Sequence, residues 1–214
     1  TLSGERDVLN RVSSEPTENQ TLEYLNRVAT SARDASRVIR QAWSDYSTSV
    51  DYGIAPIDLP KVAACIAADL PTQLYYVSFR NNAFDTHVAQ PALHQRLLTY
   101  ACDGINAFLD DMDRLGRADD VVLMAFSEFG RRVPENSNLG TDHGTANVMF
   151  IAGKNVRGGH HGAIPNLEEL DEGDNLIPTT DFRSVYASAI DGWMKPGAAE
   201  RVLGGTFAPL NLFT

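Results

Sequence analysis

Two short runs in this 214-residue chain combine carboxylates and imidazoles at spacings that suit metal or acid–base chemistry. The first is Asn81-Asn82-Ala83-Phe84-Asp85-Thr86-His87. The second joins Ser127-Glu128-Phe129-Gly130-Arg131 to Thr141-Asp142-His143-Gly144. In extended backbone, residues two apart point to the same side, so Asp85 and His87 can reach one cation. Asp142 and His143 are adjacent and need a bent loop to converge. Glu128 adds a third carboxylate at the end of an apolar run. Two imidazoles with three carboxylates offer the mixed nitrogen and oxygen donors that zinc or manganese takes. A pair of such ions would clamp the attacking and leaving oxygens of an in-line displacement. Arg131 and Arg132 lie beside these acids, where a guanidinium can hold a phosphate or sulfate group through two parallel hydrogen bonds.

Each group also has an ordinary structural use. Asp85 can close an Asx turn after Asn82, while His87 caps the helical region that follows. Glu128 can pair with Arg131 or Arg132, and those arginines can neutralise Glu128 or Glu135. Asp142 can hold a turn between Gly140 and Gly144 with His143 exposed. Position favours a site, because these groups follow apolar, strand-like runs. Open α/β sheets bind ligands just past the carboxyl ends of their strands. His160-His161, in the glycine-rich segment from Gly153 to Gly162, reads as a surface pair. His94 reads as structural or exposed.

The elements that must position these residues follow from apolar periodicity. Beyond a polar patch from Ser13 to Asn19, apolar residues recur from Leu22 to Tyr46 with the 3.6 period of an amphipathic helix. Pro60 can start a short helix from Lys61 to Asp69, which Pro71 ends. Leu74-Tyr75-Tyr76-Val77-Ser78-Phe79 has strand composition and runs into the first acidic cluster. A long helix carries Leu93, Leu97, Leu98, Ala101, Ile105, Phe108, Leu109, Met112 and Leu115, with Gly116 as its stop. Strands are expected at Val121 to Phe126 and Asn147 to Ala152, and a last helix begins at Thr180-Asp181. Strand, long helix, strand predicts parallel pairing with a right-handed crossover. The expected fold is therefore α/β, a mostly parallel sheet flanked by helices. A helical segment over residues 1–70 precedes a main portion over residues 71–214. Three strands are few for a free-standing doubly wound sheet, which suggests the C-terminal part of a larger domain.

Composition narrows the function classes. A formal net charge of -10 argues against a nucleic-acid surface, which needs clustered Lys and Arg. No apolar stretch approaches the length of a membrane span. Cys65 and Cys102 lie in apolar, helix-like contexts and read as two buried thiols rather than a disulfide.

Phe84-Asp85-Thr86-His87, Ser127-Glu128-Phe129-Gly130-Arg131, Thr141-Asp142-His143-Gly144, Val156-Arg157-Gly158-Gly159 and Pro178-Thr179-Thr180-Asp181-Phe182-Arg183-Ser184-Val185-Tyr186 together resemble the C-terminal half of the DUF1501 family. The similarity runs from about Leu74 to Phe213. The resemblance implies an alkaline-phosphatase-like fold, a relationship that includes phosphatases, sulfatases and phosphomutases. It further implies divalent-metal ligands at Asp85, His87, Asp142 and His143, with Glu128 as a ligand or acid/base and Arg131 as an anion contact. Glu128-Phe129 stands where that pattern has an Asp-His pair, and no nucleophile is evident ahead of Leu74. The implied activity is metal-dependent hydrolysis of a small-molecule phosphate or sulfate ester. The alternative is a non-catalytic exported binding or scaffold protein with a degraded metal site. Bacterial export to the periplasm is likewise implied only by the resemblance.

Overall fold

The apolar period from Leu22 to Tyr46 becomes helix α1 (Gln20–Asp45), capped by Asn19, whose side chain accepts from the Thr21 and Leu22 amides. This cap satisfies two of the amides that a helix start leaves without partners. Helix α2 (Leu59–Ala67) opens with Pro60 in its first turn and buries Val62, Ala63, Ala64, Cys65 and Ile66. The computed structural model describes residues 19–54, 57–79 and 82–214. Asn81 and the polar patch over residues 13–18 lie outside the described residues.

The chain forms two compact units. The first comprises the described residues within 1–51 and 58–77, where α1 packs on α2. The second comprises the described residues within 52–57 and 78–214 and contains all of the expected site residues. Its long helix α3 (Gln90–Arg114) buries Leu97, Ala107, Phe108 and Met112, and Gly116 ends it in the left-handed region at φ 68°. Asp111 is also fully buried on α3, accepting from Arg114 Nε at 2.7 Å and from the Tyr52 hydroxyl at 2.8 Å.

Four short strands follow: β1 (Leu123–Ala125), β2 (Gly130–Arg131), β3 (His143–Gly144) and β4 (Phe150–Ala152). They nest. β1 pairs antiparallel with β4, in register Met124 to Ile151, and β2 pairs antiparallel with β3, in register Arg131 to His143. Helix α4 (Phe182–Ala189) has the expected Asp181 cap, and α5 (Ala199–Leu203) packs against it.

This architecture corrects the expected fold. Among the described residues there are two small antiparallel sheets and no parallel one, so the alkaline-phosphatase-like α/β sheet is not formed. A parallel unit needs a strand on each side of its crossover helix, paired side by side. Leu74 to Phe79 joins no sheet, and Leu74 and Tyr76 are 73% and 79% exposed. β1 takes its partner from the chain after it, which folds back through β2 and β3 and so returns antiparallel. Composition marked these segments as extended but carried no information on their partners.

Cys65 is buried as expected, whereas Cys102 is exposed; both are free thiols. No helix among the described residues is long and apolar enough to cross a membrane.

Candidate metal centre

The Asp85–His87 segment is built from tight turns rather than a strand. The Asp85 amide donates to Asn82 O at 2.9 Å, Thr86 to Phe84 O at 2.9 Å and His87 to Asp85 O at 3.2 Å. The turns nevertheless keep Asp85 and His87 on one side, while Thr86 between them is buried. Phe84 anchors the segment, meeting Phe79 and His94 edge-on at 5.0 and 5.7 Å. His94 is therefore a structural residue, and burial is the main cause holding its pKa below the usual histidine range.

The second wall is the loop between β2 and β3. A Cβ on Gly140 would strike the His87 carbonyl, so only glycine lets this loop close on the Asp85–His87 segment. A Cβ on Gly130 would likewise strike the Ala146 carbonyl beside the β2–β3 pair. The loop also ties down the start of α3, where Ala89 and Gln90 amides donate to Asn138 O and Leu139 O at 2.9 and 2.8 Å.

Between these walls three donor atoms converge. His87 Nε2 and His143 Nε2 are 2.9 Å apart, and Asp85 Oδ1 lies 2.9 Å from His143 Nε2 and 3.0 Å from His87 Nε2. A ring nitrogen holds either a hydrogen or a lone pair, never both. Three linear hydrogen bonds therefore cannot coexist around this triangle, whatever the protonation. A cation uses three converging lone pairs together. Donors bonded at right angles to an ion at about 2.1 Å stand about 3.0 Å apart, against about 3.4 Å for a tetrahedral ion. The donor set and its spacing thus fit a divalent cation.

Around the triangle lies a supporting shell. Asp142 Oδ1 is 3.5 Å from His87 Nδ1, on the far side of that ring from the triangle. Asn136 Nδ2 donates to this carboxylate and to His87 O, both at 3.1 Å, and Asn136 Oδ1 accepts from the Asn138 and Gly140 amides at 2.9 and 3.1 Å. Gln90 Nε2 bridges the Thr86 and Thr141 hydroxyls at 2.8 and 2.9 Å. Arg131 donates to Asp85 Oδ1 and Thr141 O, each at 2.7 Å, and to Phe84 O at 3.1 Å. The Phe129 ring stacks on His143, with centroids 3.6 Å apart and planes inclined by 19°.

These contacts shape the electrostatics. The His143 hydrogen bond, then the Arg131 hydrogen bond and the His87 and Arg131 charges, hold Asp85 below the usual carboxylate range. The Asn136 hydrogen bond first, then His87 and Arg132, do the same for Asp142.

Of the residues expected from sequence, Asp85, His87 and His143 meet at one point. Asp142 stands behind His87, and Arg131 pairs with Asp85 rather than with Glu128 or Glu135. Glu128 is exposed, with no hydrogen bond or ion pair to a described residue. His160 and His161 are exposed, as expected of a surface pair, and His161 Nε2 meets Arg157 O at 2.8 Å. Sequence reasoning missed Asn136, Gln90 and the stacking role of Phe129. The pairing of Asn136 with the glycine at 140 was the available signal, since Asn side chains commonly close such loops.

No curated protein and no solved structure matches the chain. A family model does match, across residues 8–184, and its description is "Protein of unknown function (DUF1501)". With most of its length covered, the chain belongs to the DUF1501 family.

Proposed function

We propose that Asp85, His87 and His143 bind one divalent cation, zinc or manganese, and that the site hydrolyses a small phosphate or sulfate ester. The observation that carries the cation is the closed triangle of donor atoms with edges of 2.9, 2.9 and 3.0 Å. Its right-angle spacing suits an octahedral ion such as manganese better than tetrahedral zinc. The hydrolytic step is supported by an exposed carboxylate at Glu128 and the cationic Arg131 beside the donors.

A bound cation supplies Lewis-acid polarisation of an ester oxygen and compensates charge that builds on it. The protein's own work is positional. Asp142 fixes the ring of His87, as a carboxylate behind a ligating histidine does. Arg131 holds Asp85 in place through its ion pair at 2.7 Å and stands beside the donors that an anionic ester would approach. Glu128, following β1, is the group free to take or give a proton in solvent.

One observation favours a second reading, a non-catalytic binding protein that keeps the site. Phe129 occupies the face of His143, and Glu128 does not join the three converging donors. The two readings separate in rate measurements on aryl phosphate and aryl sulfate esters, using metal-depleted protein and protein reloaded with zinc or manganese. Hydrolysis restored by metal, and lost in His143→Ala, supports the hydrolase. Saturable metal uptake without turnover of either ester class overturns it in favour of the binding protein.

A further inference from the structure

The two histidines of the triangle are oriented by different means. His87 has the Asp142 carboxylate at its far nitrogen, 3.5 Å away. His143 has no hydrogen bond from its Nδ1 to a described residue; its neighbour is the Phe129 ring, face to face at 3.6 Å. That geometry is unusual for neutral rings, which prefer an offset or an edge-on approach because their negative faces repel. Among the described residues of the second unit, the other ring pairs are edge-on, as in Phe126–Tyr186 and Phe182–Tyr186, tilted, as in His87–His143 at 4.7 Å and 39°, or far apart, as in Trp193–Phe213 at 6.1 Å.

An imidazole that donates its lone pair to a cation becomes electron-poor, and an electron-poor ring is attracted to an aromatic face as a cation is. Sequence places Phe129 for this purpose. It directly precedes β2, whose Arg131 lies opposite His143 in the β2–β3 register. Gly130 between them allows the close approach of the Ala146 backbone.

We infer that Phe129 is a positioning residue for the cation site: its π face holds the His143 ring and binds it more strongly once His143 is ligated, so the ring contributes directly to metal affinity. This rests on the cation-binding reading given above. It gives Phe129 a role in the site, and it predicts one ion per chain, because Asp85, His87 and His143 are the one group of converging metal-ligating donors among the described residues.

The test is titration of the metal-depleted full chain with Co(II), followed by calorimetry and by the visible absorption of the bound ion. Wild type is expected to take up one equivalent. Phe129→Leu keeps an apolar side chain but no π face and is expected to bind Co(II) roughly threefold to thirtyfold more weakly, with a shifted visible band. Phe129→Tyr restores the wild-type affinity and band. Pentafluorophenylalanine at position 129 keeps the ring and its packing while reversing its quadrupole, and is expected to weaken binding as leucine does. Wild-type affinity and spectrum in the leucine and fluorinated variants would overturn this inference alone. Lack of saturable Co(II) uptake by the wild type would overturn the cation reading and this inference with it.

Discussion

The Nε2 atoms of His87 and His143 face one another across 2.9 Å. One ring hydrogen cannot point squarely at both the other ring and Asp85 Oδ1, whereas the proposed cation would use all three lone pairs. The segments bearing these residues are far apart in sequence, and their meeting is enforced by groups around the triangle, of which Arg131 also donates to its Asp85 Oδ1 corner. Gln90 and Asn136 tie the two walls together, Arg131 clips Asp85 to the second wall, and Gly140 lets the loop close on His87.

Asp142 acts through His87. Its replacement by asparagine leaves the triangle's own atoms in place but removes the charge behind the ring, and Asp142→Asn is expected to weaken cation binding roughly tenfold. Calorimetric titration with zinc checks this. An unchanged affinity would mean that the 3.5 Å contact does not orient the ring.

Gly140 is a steric requirement. In Gly140→Ala the new methyl group meets the His87 carbonyl, and either the loop or the ligand segment must move. The expected cost is about 2 kcal/mol or more in urea denaturation of the metal-free protein, within the range for strain of this kind. Cation affinity falls with it, because the displaced backbone is that of a ligand.

The carboxylates also set a pH dependence. Asp142 titrates below its ordinary value in the folded protein, chiefly through the Asn136 hydrogen bond. A depressed folded-state pKa means that the stabilisation is complete above the unfolded-state value, about 3.9, and is lost as pH falls through the folded value. The thermal midpoint of the metal-free wild type should therefore exceed that of Asp142→Asn near pH 5, and the margin should close under more acidic conditions. Circular dichroism melts across that range measure it.

The helices were legible because an amphipathic helix carries a local apolar period, and Leu22 to Tyr46 and Leu93 to Leu115 show it without reference to the rest of the chain, although α1 buries only Ala42 among the described residues. Asp85, His87 and His143 were legible as donors because few residue types ligate metals. The sheets were not, because pairing is non-local: nothing in Val121 to Phe126 states that its partner is Phe150 to Ala152 or that the pairing is antiparallel. The supporting shell was hidden for a related reason. Gln90 and Asn136 are ordinary polar residues until the fold sets them against Thr86, Thr141 and His87, and Phe129 looked like a missing ligand until its ring was placed on His143.

The most direct test of the central claim is calorimetric titration of metal-depleted protein with zinc and with manganese, in wild type, His87→Ala and His143→Ala. The triangle predicts saturable uptake of one ion by the wild type and loss of that uptake in each variant, with the apo variants still folded by circular dichroism. Saturable uptake that survives unchanged in both histidine variants, or none in the wild type, would contradict it.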